Sequence, residues 1–238
     1  EKENIPAVII ETANETRENI IVVDEATNNQ YRFGMPGTGL TVAEWNKCLH
    51  AVEEMSDVEF IIASGSLPPG VPDTIYALLA KIAKSKNAKF IVDTSGEALK
   101  HAAAEGVYML KPNLGELSSL AGKKEIQPSE VKTIAREIIA KGNCEVIVVS
   151  MGADGAMLVT AEIAGIFKPP AVERKSTVGA GDSMVAGIVF YLAQGKDLTQ
   201  SVQYGVACGT AATLNAGTEL CKKEDADRLY SLIQSAHS

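Results

Sequence analysis

The chain has 238 residues, 46% of them hydrophobic, with a net charge of −8 and a pI near 5.0. Such a length and apolar content suffice for one large domain with a sizeable core and room for a small appendage. The acidic balance argues against general nucleic-acid binding while leaving an anionic small substrate open, because local amides and a few cations decide that. No apolar run reaches the ~20 residues of a membrane span, and the charged start, Glu1-Lys2-Glu3-Asn4, lacks a signal-peptide core. The closest two of the cysteines Cys48, Cys144, Cys208 and Cys221 stand 13 positions apart. They form no C-x-x-C pair and suggest buried, reduced thiols of a cytoplasmic protein.

In chain order, residues 7–12 and 19–24 are short β-branched runs, and 31–33 follow the polar turn Glu25-Ala26-Thr27-Asn28-Asn29. This spacing predicts a small set of antiparallel strands. Arg32, inside one of them, reads as structural. Thr41 and Glu44 have capping-box spacing, predicting a helix from there to about residue 55. From there strand and helix patterns alternate, as in a mostly parallel sheet covered on both faces. Strands are predicted over 58–63, 88–93, 107–110, 145–150 and 157–160. Two further short ones are expected around 163–167 and 171–173. Helices are predicted from near Pro72, over 129–141, 180–194, 198–214 and 224–234. Asp154-Gly155 is a strong hairpin-turn signal, and Asn113 with Glu116 has the spacing of a second capping box.

One stretch stands apart. Ser176-Thr177-Val178-Gly179-Ala180-Gly181-Asp182 joins an extended polar run to a long apolar helix. Two glycines and an alanine at a helix start let the backbone approach a ligand. The first amides have no intrahelical acceptor, and the positive end of the helix dipole lies behind them. Together these suit phosphate. Asp182 follows the turn directly, where a carboxylate can take the proton of an attacking hydroxyl during phosphoryl transfer. The competing explanation is simple: Asp in a first helical turn is stabilising by roughly 0.3–1 kcal/mol for dipole reasons alone. A dinucleotide fingerprint is incomplete, because position 184 is Met. No G-x-x-x-x-G-K-[ST] P-loop and no protein-kinase motif is present.

Thr177-Val178-Gly179-Ala180-Gly181-Asp182 resembles the signature of the PfkB, or ribokinase-like, carbohydrate kinases. The resemblance extends through Tyr31-Arg32-Phe33, Ser64-Gly65-Ser66-Leu67-Pro68-Pro69-Gly70, Val92 to Leu99, Lys111-Pro112-Asn113-Leu114-Gly115-Glu116 and Ala211 to Asn215 in family order. It is strongest toward the 6-phosphofructokinase branch. It implies a three-layer α/β/α fold with a mostly parallel sheet and the remnant of a small β lid. Residues 1–40 would belong to the lid and 41–238 to the kinase domain. The leading family segment, with its N-x-x-x-D sugar contact and Gly-Gly turn, does not occur here, so the chain is expected to begin partway through such a protein and to leave a lid strand edge unpaired.

The same resemblance implies an ATP-dependent phosphotransferase acting on fructose 6-phosphate in glycolysis. Tagatose 6-phosphate or fructose 1-phosphate are the alternative acceptors, and a nucleotide-binding form without catalysis is the alternative class. It implies Asp182 as base, with Gly179, Ala180 and Gly181 receiving the phosphoryl group, and Arg17 and Ser66 contacting the sugar phosphate. It places Lys111, Asn113, Ser150, Gly152, Gly155, Thr177, Val206 and Thr210 beside the nucleotide, and Asp93 with Glu116 near Mg²⁺. Ser176, Val178 and Asn215 would hold a monovalent cation such as K⁺. The implied partners are the sugar phosphate, ATP and, through the lid, a second copy of the chain; no nucleic acid and no membrane is implied.

Overall fold

The structure is a computed structural model that describes residues 5–24, 26–27 and 29–235. A two-stranded antiparallel hairpin, β1 (Asn19–Asp24) and β2 (Asn29–Gly34), stands beside a six-stranded sheet. That sheet comprises β3 (Phe60–Ser64), β4 (Lys89–Asp93), β5 (Val107–Leu110), β6 (Cys144–Ser150), β7 (Ala156–Val159) and β8 (Ala164–Phe167), in sequential spatial order. β3 to β6 run parallel, and β7 and β8 turn back antiparallel.

The helices α1 (Val42–Glu53), α2 (Ile75–Ser85), α3 (Gly96–Glu105), α4 (Leu114–Leu120) and α5 (Val131–Ala140) cover one face of this sheet. Three more, α6 (Ala180–Ala193), α7 (Leu198–Ala212) and α8 (Lys223–Ser235), cover the other. The three layers follow from strand alternation. In β4, Phe90 and Val92 point into the first core while Ile91 points into the second. Because the strands succeed one another in one direction, right-handed crossovers place every intervening helix on the same side. The opposite side is left to the C-terminal helices, an arrangement the alternating pattern did not predict.

Both capping boxes form. Thr41 accepts from the Glu44 amide while the Glu44 carboxylate accepts from the Thr41 amide, and Asn113 and Glu116 do the same. The strand 107–110 forms as expected. The helix expected over 129–141 opens as a 3₁₀ turn over Pro128–Glu130 before α5, and the one expected near Pro72 starts at Ile75.

Two expected strands do not form. Residues 7–12 are irregular: β1 pairs only with β2 among the described residues, so this run has no ladder to join. Its neighbours dock through side chains instead, the Ala13 amide donating to Glu44 Oε1 at 2.6 Å and Thr38 Oγ1 to the Glu15 carbonyl at 2.9 Å. Residues 171–173 follow Pro169-Pro170, where two amide donors are missing, and Ala171 and Val172 line a cavity rather than an edge. All four cysteines are free, but only Cys144 and Cys208 are buried. Cys48 is exposed on α1, against the expectation of a buried thiol.

α6 and α7 pack closely through small residues. A Cβ on Gly205 would lie 2.5 Å from Ile188 Cγ1 and 2.8 Å from the Met184 carbonyl oxygen. Gly205→Ala therefore forces the two helices apart and should cost about 1–3 kcal/mol, an overpacking penalty. A lowered midpoint in thermal unfolding checks this, and an unchanged midpoint would show that the helices yield freely.

Candidate active site

The carboxyl ends of the parallel strands and the start of α6 meet at one point. Gly179 is the N-cap of α6 with φ 72° and ψ 0°, a left-handed conformation glycine adopts without strain. The first helical bond runs from the Ser183 amide to the Gly179 carbonyl at 2.8 Å. The amides of Ala180, Gly181 and Asp182 precede it and open the helix toward the cleft.

Asp182 is exposed there, and its Oδ1 accepts from the hydroxyl of Ser64, the last residue of β3, at 3.1 Å. Ser64 is the register partner of Asp93 at the end of β4. Asp93 Oδ1 in turn lies 3.1 Å from Nζ of Lys111, which follows β5 and is buried. A Cβ on Gly181 would sit 3.6 Å from that Nζ and 4.0 Å from Asp93 Oδ2. The helix mouth, two carboxylates and a buried ammonium thus share one small space. Burial pushes the Asp93 carboxyl above its ordinary value; Lys111 pulls it down, and the negative charge of Asp182 pushes it up again.

The loop after β3 is fixed from below. The Gly65 carbonyl accepts from Thr94 Oγ1 at 2.8 Å and from the Tyr76 hydroxyl at 3.0 Å. Ser66, next along, accepts from an Arg17 guanidinium nitrogen at 3.0 Å, so the two residues expected at the sugar phosphate meet across 49 positions of chain.

On the other side of the helix mouth lies a cavity of about 540 Å³. Ser150, Gly152 and Gly155 line it from the end of β6 and the turn after it, and Val206 and Thr210 from α7. Thr177, Ala180 and Gly181 close it toward the cleft. Every one of these eight was expected near the nucleotide or the phosphoryl group. Lys111 and Asn113 were too, yet they stand outside the wall. Lys111 is turned to Asp93, and Asn113 Oδ1 accepts from the Glu116 amide at 2.9 Å. The Glu116 carboxylate, expected near a metal, accepts from the Asn113 amide at 2.8 Å. Among the described residues no group of three or more His, Cys, Asp and Glu side chains gathers as a metal site.

Missed by the sequence reading are Pro169, Pro170, Val172 and Arg174, which line the cavity where a strand was expected, and Met184 and Thr213. The Pro-Pro pair was the available signal for an irregular wall.

The buried Ser176 hydroxyl donates to the Gly217 carbonyl at 2.7 Å and accepts from the Val178 amide at 3.2 Å. Buried Asn215, in the same loop as Gly217, donates to the Leu220 carbonyl at 2.9 Å. Of the three residues expected at a monovalent cation, Ser176 and Val178 meet directly, and Asn215 stands two residues before the Gly217 that Ser176 contacts.

An amide cradle at a helix mouth, flanked by a carboxylate on one side and a nucleotide-sized cavity on the other, is the arrangement of a phosphoryl-transfer enzyme built on a three-layer α/β/α fold. The chain belongs to the pfkB family of carbohydrate kinases, whose family model matches residues 1–225. It is 41% identical over 232 residues to the ATP-dependent 6-phosphofructokinase isozyme 2 of Escherichia coli, covering 97% of this chain and 75% of that protein. A 1-phosphofructokinase of Rhodobacter capsulatus is 34% identical over 222 residues, covering 92% of this chain and 69% of that one. The crystal structure of the Escherichia coli phosphofructokinase-2 in complex with potassium superposes with a TM-score of 0.92 at 41% identity, over 98% of this chain and 76% of that one.

Proposed function

We propose that this chain phosphorylates a sugar phosphate with ATP, and that fructose 6-phosphate, converted to fructose 1,6-bisphosphate, is the acceptor. The observation that carries this reading is the exposed Asp182 carboxylate beside the amides of Gly179, Ala180 and Gly181, with Arg17 and Ser66 joined across the cleft. The nucleotide lies in the cavity bounded by Ser150, Gly152, Gly155, Val206 and Thr210, its terminal phosphate at the helix mouth. Asp182 takes the proton of the sugar hydroxyl as its oxygen bonds to the terminal phosphorus. The bond from that phosphorus to the bridging oxygen breaks, and ADP leaves with the electron pair. The amides hold the charge that grows on the moving group. Arg17 grips the sugar's own phosphate through its planar fork.

Asp93 and Glu116 suit a hard cation such as Mg²⁺, held through water and the nucleotide's phosphates rather than by a protein cage. Such an ion would neutralise phosphate charge. Lys111 sits against Asp93, where it can follow that charge. The hydroxyl and carbonyl oxygens around Ser176, Val178, Asn215 and Gly217 suit K⁺, and the potassium complex of the Escherichia coli relative supports this. The lid, residues 1–40, carries apolar cross-strand pairs, Ile20 with Phe33 and Val22 with Tyr31, about half exposed on the outer face of the hairpin. They support a homodimer formed lid to lid.

An assay of ADP release with fructose 6-phosphate, tagatose 6-phosphate and fructose 1-phosphate tests the proposal. The highest kcat/KM is expected with fructose 6-phosphate. A preference for fructose 1-phosphate would favour the second reading, raised by the Rhodobacter relative. ATP binding without ADP formation from any of the three would overturn the catalytic reading in favour of a nucleotide-binding form.

A further inference from the structure

Two guanidiniums reach into the cleft from its lid side. Arg17 donates to Ser66 Oγ at 3.0 Å, and Arg32, on β2, donates to Thr177 Oγ1 at 2.8 Å. Among the described residues neither forms an ion pair with a carboxylate. Arg136 and Arg174 form none there either, so position decides: on this cleft an arginine without a carboxylate can meet anions that arrive from outside. Each guanidinium carries five donors, and a single hydroxyl engages one of them.

The two arginines stand on different sides of the helix mouth. Ser66 belongs to the loop after β3. Thr177 lines the nucleotide cavity together with Ala180 and Gly181. Arg32 is also braced there. Gln30, two residues earlier on the same face of β2, donates to the Lys175 carbonyl at 3.4 Å, and its Oε1 accepts from Thr177 Oγ1 at 3.5 Å. The Thr177 hydroxyl therefore accepts from Arg32 while donating to Gln30, a circuit that aims the guanidinium at the run leading into the cradle.

We propose that Arg32 is a second phosphate-binding arginine, assigned to the terminal phosphates of the nucleotide, while Arg17 serves the sugar's phosphate. This rests on the kinase reading above. Thr177 engages one guanidinium nitrogen of Arg32, and the remaining donors suit a phosphate. Arg32, which reads as structural in the sequence, then contacts substrate.

The test compares Arg32→Ala, Arg32→Lys and Arg17→Ala in steady-state kinetics and in calorimetry with ATP and with AMP. Arg32→Ala is expected to weaken ATP binding or lower kcat by ~10–100-fold, the size of a lost charge-assisted hydrogen bond. AMP affinity and the KM for the sugar phosphate should stay within about twofold of wild type, a margin well inside the range for losing such a bond. Arg32→Lys recovers part of the loss, since it keeps the charge and loses the fork. Arg17→Ala should show the reverse pattern. Unchanged ATP affinity and kcat in Arg32→Ala overturns the assignment, as does a loss confined to the sugar KM. Equal losses toward ATP and AMP with a lowered melting temperature mark a structural strut and overturn it too. If the wild-type protein releases no ADP with any sugar phosphate, the kinase reading fails by itself, and the calorimetric comparison of ATP with AMP still decides the role of Arg32.

Discussion

Asp182→Asn is expected to lower kcat by ~10²–10⁴-fold, the usual contribution of a positioned general base, while leaving ATP affinity nearly unchanged. The substitution keeps an oxygen that can accept from Ser64 Oγ, now 3.1 Å from Asp182 Oδ1, so the local geometry survives and only the proton acceptor is lost. Gly179, Ala180 and Gly181 still offer the same amides, because their placement comes from the N-cap conformation rather than from the carboxylate. Single-turnover kinetics separates binding from chemistry. Near-normal turnover in the variant would remove Asp182 from the mechanism.

Lys111→Met should destabilise the fold by about 3–5 kcal/mol at neutral pH, the cost of leaving one partner of a buried ion pair uncompensated. The lysine and Asp93 are 3.1 Å apart with side chains only 6% and 16% exposed, so water does little for the carboxylate left behind. The loss should depend on pH. The folded-state value of Asp93 already lies above its ordinary one through burial, and Lys111 is what restrains it. Without the lysine it rises further. The folded state then holds a proton that the unfolded chain has released, so stability falls as pH rises from the ordinary carboxylate range through the raised value, and is regained below that window. Denaturant titrations of variant and wild type should therefore converge on acidification and diverge toward neutrality. Pairing the change with Asp93→Asn should restore much of the loss, because no charge is then buried. A pH-independent difference would mean that packing, not charge, explains it.

How much of this was legible in the sequence depended on distance along the chain. Both capping boxes depend on a three-residue spacing, and both formed. The strand 107–110 is a compact apolar run bounded by Gly106 and Lys111, and it too formed as predicted. The glycine turn and Asp182 came from a motif, and the lining residues Ser150, Gly152, Gly155, Val206 and Thr210 from the family resemblance alone; the structure gathers them around one cavity and one helix mouth.

What the sequence hid was non-local. Residues 7–12 have strand composition but, among the described residues, no strand to pair with, and 171–173 follow two prolines that remove donors. The strands predicted over 88–93 and 107–110 set Asp93 and Lys111 at neighbouring strand ends, but no local pattern shows that the ammonium turns to that carboxylate. Arg32 reads as structural in the sequence, and its contact across the cleft was hidden for a similar reason. Its partner Thr177 is 145 residues away, and no local pattern joins a hairpin to the threshold of a helix at that range.

The one-directional march of the strands has a consequence for how the chain must assemble. Ile91, Met109, Val146, Val148 and Leu158 form a greasy wall covered, among the described residues, mainly by α6, α7 and α8. A nascent polypeptide leaving the ribosome has completed all six strands by Phe167, with that wall still bare until α6, α7 and α8 have followed. A stalled or clipped product ending there exposes a broad adhesive surface and is a natural client for chaperones, or a seed for aggregates.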